Sequence, residues 1–276
     1  MKQRSRSAAV LVGLGMALLG SAAQGAIVDR KGPVVLEQRT VTTSSGERPF
    51  YLIRFRPGTG AHIETAWLGG GPGKAGTVGQ YVNRNAGRGA VGGINGTFFL
   101  LASNSPSCGF VLHNGLNRTG TNPTGSGSEV AFAPDGTTTP STDRPFDFFG
   151  RTGKFVKVNG KFAGVWKTRE ATCGKPVVVR GGRAQTGPGG LSPEQASPSV
   201  HRSAVGVLKS GEAALVVAGG AGLPHAAFAK ALATMGFSHA LGLDLNSAST
   251  LDWKGRSVNR PGFERQIPTG IIVFTK

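Results

Sequence analysis

Short apolar segments, each closed by glycine or proline, most restrict how this 276-residue chain can fold. Residues 50–55 (F-Y-L-I-R-F) form one such segment, and Pro57-Gly58 ends it. The chain holds 45 glycines and 16 prolines, a content typical of short strands joined by many turns. Asn114-Gly115 and Asn159-Gly160 each predict a hairpin. Further strands are predicted at residues 34–39, 61–68, 129–133, 176–180, 201–208, 212–217 and 265–274.

Two helices are predicted among these strands. The clearer one covers residues 223–235, with Pro224 at the first helical position and Gly236 just past its end. A shorter one is predicted at residues 77–85, whereas residues 185–199 have no periodicity and are predicted to be a loop. This order of elements predicts an α+β fold with a large mixed, mostly antiparallel β-sheet and a few helices.

The first 26 residues have the pattern of a signal peptide. A basic start is followed by an apolar stretch, residues 8–19, and by small residues before position 26. The apolar stretch is too short to span a bilayer, although a membrane anchor is the alternative interpretation. We therefore expect one domain at residues 27–276, without a transmembrane segment, in the periplasm or secreted.

The charge balance favours anionic partners. Thirty-one Lys and Arg face 14 Asp and Glu, which gives a net charge of +17. Phosphorylated or anionic envelope glycans, acidic membrane surfaces and nucleic acid all fit such an excess. With only two tyrosines, stacking platforms for single strands are not evident, so no specific nucleic acid is expected. The five histidines lack metal-ligand spacing, and the two GxGxxG matches open no βαβ unit, so no metal or cofactor is expected.

The two cysteines are Cys108 and Cys173. In an exported protein an even count predicts a disulfide, and only one pairing exists. Two free thiols are the alternative.

Three stretches carry polar groups suited to chemistry. Asn95 follows an apolar run at a tight turn, Arg202 enters a strand of small residues, and Asp244 follows the short buried strand after the main helix. An arginine held in this way presents a planar fork that suits phosphate. Each residue also has a structural interpretation: a plain hairpin turn for Asn95, a solvated edge arginine for Arg202, and a capping side chain for Asp244.

In this order the three stretches resemble the phosphodiester glycosidase family. I-N-G-T-F-F stands where the family has N-G/A-G-F-F, R-S-A-V-G where it has R-T-A-[IV]-G, and G-L-D-L-N-S-A-S-T-L where it has N-L-D-G-G-G-S-S-T-L. Weaker echoes are C-G-F-V-L-H-N-G, G-K-P-V-V-V-R-G-G and V-N-R-P-G-F-E-R-Q-I-P-T-G-I-I-V. The likeness runs from about residue 50 to residue 274.

The resemblance implies an exported hydrolase that cuts a sugar-1-phosphodiester in an envelope or extracellular glycan. Asp244 is then the base or nucleophile, and Arg202 contacts the phosphate. Asn95, with Ser249 or Thr250, positions sugar or phosphate oxygens. The remaining candidate substrate-binding residues are Thr97, Asn246 and His201, the last as a possible second proton carrier.

One loop departs from the family pattern. Leu245-Asn246-Ser247 stands in place of three glycines, and Ala248 in place of the first serine. Glycines there let backbone N–H groups approach an anion closely. The side chains either reshape the pocket for another substrate or abolish catalysis. Two other functions therefore remain open: a non-catalytic binder of anionic glycan or phosphate-containing polymer, and a basic protein that adheres to nucleic acid or acidic lipid.

Overall fold

The computed structural model describes residues 24–106, 111–113, 116–117, 129–133, 147–149, 156–158, 161–163 and 170–276. Most of the predicted signal peptide lies outside these residues, while Gln24, Gly25 and Ala26 belong to the first strand. The predicted disulfide also lies outside them, because Cys108 is one of its two partners.

The strands are, in chain order, β1 (Gln24–Lys31), β2 (Val34–Thr43), β3 (Gly46–Phe55), β4 (Ala61–Trp67), β5 (Ala90–Asn95), β6 (Phe99–Leu100), β7 (Ser105–Pro106), β8 (Val111–His113), β9 (Leu116–Asn117), β10 (Glu129–Ala133), β11 (Asp147–Phe149), β12 (Val156–Val158), β13 (Lys161–Ala163), β14 (Glu170–Gly174), β15 (Val177–Arg180), β16 (Arg183–Ala184), β17 (Ser203–Leu208), β18 (Ala213–Ala218), β19 (Phe237–Gly242), β20 (Leu251–Trp253), β21 (Arg256–Ser257) and β22 (Thr269–Thr275). The helices are α1 (Val78–Arg84), α2 (Pro193–Ala196) and α3 (His225–Thr234).

The described strands form two main sheets and three smaller ones. The first main sheet has the order β1-β2-β3-β18-β17-β19-β15-β16, and the second has the order β21-β20-β5-β22-β4. The smaller sheets are β11-β10-β14-β8-β9, β12-β13 and β6-β7. The predicted α+β class is confirmed. Every described ladder is antiparallel, so the strands lie in several antiparallel sheets rather than in one mixed sheet.

The two main sheets pack face to face, and a helix covers the outer face of each. Ile53 of β3 belongs to the apolar cluster between the sheets, together with Ile94 of β5 and Val273 of β22. Its neighbour Leu52 points to the opposite face and joins the cluster under α3. A third cluster lies between α1 and the second sheet. Alternating side chains of one strand therefore contribute to two cores. Each fully buried aliphatic side chain stabilises the fold by roughly 1.5–3 kcal/mol.

Helix α3 and the strand after it form the segment that leads to Asp244. The helix confirms the prediction for residues 223–235, except that Pro224 lies one position earlier than predicted, as the extended residue before the first turn (φ −58°, ψ 152°). Its carbonyl accepts the first helical bond, from the Phe228 N–H at 3.0 Å. Gly236 ends the helix at φ 88°, a backbone conformation that glycine adopts without strain.

Helix α2 corrects the prediction of a loop over residues 185–199. Ser192 begins this single turn: its N–H donates to the Gln195 side-chain oxygen at 3.1 Å, and its carbonyl accepts the Gln195 N–H at 2.9 Å. The turn is too short to give a periodic apolar pattern. Among the residues that the structure describes, no helix is long and apolar enough to cross a bilayer.

Candidate active site

Asp244 lies where the ends of the two main sheets meet. It follows β19 by two residues, and its N–H donates to the Gly96 carbonyl, just after β5, at 3.1 Å. The N–H of the preceding residue, Leu243, donates to the Ser203 carbonyl of β17 at 3.0 Å. Backbone bonds to both sheets therefore fix the position of the predicted catalytic carboxylate.

Three side chains hold the Asp244 carbonyl oxygen. The Asn95 amide donates to it at 3.1 Å, the Ser203 hydroxyl at 3.0 Å and the Ser249 hydroxyl at 2.9 Å. The Asn95 side-chain oxygen accepts the Thr250 N–H at 3.2 Å, and Asn95 is fully buried. The structure thus brings Asn95, Ser249 and Asp244 together, with the amide and the Ser249 hydroxyl directed at the backbone of the Asp244 segment.

Asp244 is partly exposed and lines an adjoining cleft. Burial raises its pKa to about 7, although the Leu245 N–H, which donates to Oδ1 at 2.8 Å, and the charge of Arg265 both act to lower it. The group therefore changes charge close to neutral pH, which is the range where a carboxylate serves best as a general base or acid.

We call this opening the Asp244 cleft. It has a volume of about 300 Å³. Its wall contains both apolar side chains and polar or charged ones, so it offers contacts to a sugar and to an anion. The lining residues are Phe98, Phe99, Leu101, Val200, Leu245, Glu194, Gln195, Asp244, Asn246 and Arg265.

Arg265 is the cation of the cleft, and sequence reasoning missed it. Its guanidinium donates to the Ser247 hydroxyl and lies 5.8 Å from the centre of the Phe99 ring. The sequence pattern predicts that the last strand begins at residue 265, whereas it begins at Thr269. The only signal was its position in the weak family echo F-E-R-Q-I-P-T-G.

Arg202 does not line the Asp244 cleft among the described residues. Its side chain is 1% exposed, and Nε donates to the Leu223 carbonyl at 2.5 Å. Nη2 donates to the carbonyls of Gln195 at 2.7 Å, Ala196 at 3.2 Å and Pro198 at 3.4 Å. Burial lowers the pKa of Arg202 to about 10. The guanidinium therefore holds α2, whose Gln195 forms part of the cleft wall.

His201 contacts the loop that follows Asp244 through its backbone rather than through its side chain. Its carbonyl accepts the Asn246 N–H at 2.8 Å and the Ser249 hydroxyl at 3.1 Å. Burial, with a smaller effect of Arg260, lowers the pKa of the ring, and Nδ1 is buried without a hydrogen-bond partner. The ring is therefore neutral at physiological pH.

The two predicted threonines are both buried. Thr97 is 2% exposed, and the Thr250 hydroxyl donates to Asp252 Oδ2 at 3.3 Å. The structure thus directs the Thr250 hydroxyl at another acid, away from the Asp244 carboxyl.

The loop that differs from the family pattern, Leu245-Asn246-Ser247, keeps a backbone conformation that glycine favours. Asn246 has φ 62°, in the left-handed region, and it is exposed at the cleft. Asparagine tolerates this region better than other residues with a side chain. Leu245 lines the cleft, and Ser247 accepts the bond from Arg265. The residues that replace the family's glycines therefore still allow this turn, and their side chains help to shape the cleft.

Within the described ranges, no three His, Cys, Asp or Glu side chains stand close enough together to hold a metal ion. Among the described residues that line the cleft, Asp244, Glu194 and Arg265 are the ionisable groups around which its chemistry has to be explained.

Comparison with known proteins gives one family and a shared fold. A model of the family described as phosphodiester glycosidase matches residues 88–274. No curated protein matches the chain. A hypothetical protein from Synechocystis is 15% identical with a TM-score of 0.61, over 93% of this chain and 64% of that one. The chain thus spans less than two thirds of that protein.

A second solved structure is the catalytic domain of zebrafish N-acetylglucosamine-1-phosphodiester alpha-N-acetylglucosaminidase, auto-inhibited by its pro-peptide. It is 14% identical with a TM-score of 0.62, over 92% of this chain and 88% of that one. At such identities the likeness shows a common fold.

Proposed function

Because the chain belongs to the phosphodiester glycosidase family, we propose that it is a hydrolase that cleaves the bond between a sugar and the phosphate of a sugar-1-phosphodiester. The single observation that carries this proposal is the Asp244 carboxyl, with a pKa of about 7, in a cleft that it shares with the Arg265 guanidinium. A carboxylate and a cation in one cleft match the electrophilic carbon and the anionic phosphate of such a substrate.

One carboxylate, Asp244, is enough for this reaction, although Glu194 also lines the cleft. A phosphodiester monoanion is a weak base, so it leaves the anomeric carbon with little need for a proton. The usual pair of glycosidase carboxyls can then be reduced to one group that acts as base towards water or as nucleophile. With a pKa of about 7, Asp244 is ionised in a substantial fraction of molecules at neutral pH.

We assign the phosphate contact to Arg265 in place of Arg202. A guanidinium has five N–H donors, and Ser247 accepts from one nitrogen of Arg265, so donors remain for a ligand. Arg202 donates to backbone carbonyls instead, and it affects the cleft by holding α2, which forms part of the cleft wall. Asn95 and Ser249 are positioning residues, because they hold the Asp244 carbonyl.

The substrate is proposed to be an anionic glycan of the envelope or the extracellular space, met after export to the periplasm or secretion. Two sequence features support this: the signal-peptide pattern at the N-terminus and the net charge of +17, which attracts polyanions.

The test is a panel of sugar-1-phosphodiesters that differ in sugar and in aglycone, with free sugar as the measured product. We expect release by the unchanged chain and none by Asp244→Asn, with binding retained because that change keeps the shape of the side chain. Full turnover by Asp244→Asn, with a folded circular-dichroism spectrum, would contradict the assignment.

Binding without turnover by the unchanged chain would favour a glycan binder on the same fold. Leu245 favours this second candidate, since its side chain occupies cleft wall where the family has glycine. Calorimetric titration of the same diesters, under the conditions of the turnover assay, separates the two functions.

A further inference from the structure

A short hairpin beside the Asp244 cleft projects apolar side chains into solvent. Strands β6 and β7 pair through Phe99 with Pro106 and Leu100 with Ser105. Leu100 is 56% exposed and Leu101, at the turn, is 72% exposed, the highest value among the large apolar side chains that the structure describes. Adjacent exposed leucines at a turn are unusual, because transfer of such side chains out of water is favourable.

The projection is built into the backbone. The Ser103 N–H donates to the Leu100 carbonyl at 3.2 Å and closes the turn. Asn104 adopts φ 49°, and its amide donates to the Gly73 carbonyl at 3.4 Å. The hairpin is therefore tied to a neighbouring turn at its polar side, and its leucines are left on the outside.

Three basic residues lie near this hairpin. Lys74 is exposed and follows Gly73, the residue that Asn104 contacts. Lys175 Nζ lies 5.3 Å from the centre of the Phe98 ring, and the Arg265 guanidinium carbon lies 5.8 Å from that of Phe99. Exposed leucines and basic side chains thus lie close together at this hairpin.

We propose that this hairpin docks the protein onto the surface of a bilayer that contains anionic phospholipids. Leucines at an interface enter the boundary between headgroups and acyl chains, while Lys and Arg keep their charges among the headgroups. Each basic residue near an anionic surface adds to the attraction, which decays within a Debye length. The geometry satisfies both requirements at one place.

A second copy of the chain is a poorer occupant for the same surface. Two hairpins in contact would bring two sets of Lys74, Lys175 and Arg265 together, and the chain as a whole carries a net charge of +17. Like charges at an interface oppose association, whereas anionic headgroups neutralise them. The charge of the surface therefore selects a lipid partner.

Docking in this way gives the cleft a defined orientation. Leu101 belongs both to the exposed tip and to the cleft wall. A bound bilayer would then lie at the mouth of the Asp244 cleft. This inference goes beyond hydrolysis and holds whether or not the cleft turns over a diester.

The experiment is co-sedimentation with two kinds of vesicle, one of phosphatidylcholine with phosphatidylglycerol and one of phosphatidylcholine alone. The test variant is Leu100→Ser/Leu101→Ser. Its matched control is Ile27→Ser/Val28→Ser, which removes an equally exposed pair (56% and 55%) from β1 at the edge of the first sheet. Neither change alters the net charge, and thermal melting verifies that both variants fold.

We expect the unchanged chain and the control to bind the anionic vesicles equally, and the test variant to bind at least about tenfold more weakly. Binding to phosphatidylcholine alone should be far weaker for all three. Equal binding by the two variants would overturn the proposal, since adhesion would then depend on overall charge alone. Failure of the unchanged chain to bind, or a dimer that only the test variant loses, would also overturn it.

Discussion

Two aspartates, eight residues apart on the same segment, have the same raised pKa and very different surroundings. Burial raises the pKa of both Asp244 and Asp252 to about 7. Asp244 is partly exposed to a cleft of about 300 Å³ that also contains Arg265. Asp252, on β20, is 1% exposed, and its Oδ1 has no hydrogen-bond partner. Glu264 raises its pKa further, and the Thr250 hydroxyl donates to Oδ2 at 3.3 Å.

The difference shows that a raised pKa does not by itself mark a catalytic group. Desolvation disfavours the charged form of any buried carboxyl, whether or not a substrate can reach it. Space for a ligand and a cation beside the carboxyl are what distinguish Asp244. Asp252 lacks both among the described residues, so we expect it to affect the stability of the fold and not the reaction.

The largest expected effect is on turnover at the first of the two acids. Asp244→Asn should lower the rate of sugar release by at least about 10³-fold, because the amide cannot accept a proton or attack carbon. Asp252→Asn is the matched control, since the same chemical change is made eight residues away. Its turnover should stay within about threefold of the unchanged chain. If both variants lost a similar share of their free-sugar release, the proposed difference between the two aspartates would be contradicted.

The next largest effect concerns Arg265, the cation that lines the cleft with Asp244. Arg265→Gln should lower kcat/KM by about 10²-fold, since the phosphate loses its charged donor. Arg202→Gln should instead destabilise the fold by roughly 1–3 kcal/mol, because carbonyls of the α2 segment lose their buried donor. Steady-state kinetics and urea unfolding of both variants separate the roles. A selective kinetic loss in Arg202→Gln, at unchanged stability, would return the phosphate contact to Arg202.

Asp252 should contribute to a pH dependence of stability, in the same direction as Asp244, whose pKa is also raised to about 7. Its folded-state pKa of about 7 exceeds the ordinary value of 3.8, so the fold favours the protonated form. That stabilisation is complete below about pH 4 and is lost as the pH rises through 7, a difference of about 2–4 kcal/mol. Asp252→Asn, which stays neutral, should reduce the decline in unfolding free energy between about pH 4 and pH 7, and the part due to Asp244 should remain. Parallel curves for the two proteins would show that Asp252 ionises freely when folded.

The smallest expected effect concerns the residue that holds Arg265. Ser247→Ala removes the hydroxyl that accepts from the guanidinium, and the arginine should become less ordered at the cleft. We expect KM for a diester to rise about three- to tenfold with kcat nearly unchanged. Ser210→Ala is a suitable control, since that exposed hydroxyl donates only to Glu212 at 2.8 Å. A fall in kcat alone would place Ser247 in the chemical step.

Local patterns predicted most of the described framework. Alternation and turn residues gave the strands around residues 34–55 and the hairpins at Asn114-Gly115 and Asn159-Gly160, whose flanking strands pair as expected. The division into separate sheets was not predictable, because alternation shows which faces are buried but not which strands pair.

The sequence predicted the part of the site in which backbone geometry brings the residues together. Asn95 and Asp244 meet at the ends of β5 and β19, and the family resemblance named both. The surroundings of Arg202 and Arg265 were not predictable. Four carbonyls up to 21 residues away accept from the first, and the second reaches Ser247 from a segment without periodicity. An arginine in a sequence does not reveal whether backbone or ligand will satisfy it.

The most direct test of the central claim is the pH profile of kcat/KM for a sugar-1-phosphodiester, measured for the unchanged chain and for Asp252→Asn. If Asp244 is the base or nucleophile, both profiles rise with increasing pH through an inflection near 7, the folded-state pKa of Asp244. An inflection that disappears in Asp252→Asn would contradict the account, because the ionisation that governs turnover would then belong to the sealed aspartate and not to the one in the cleft.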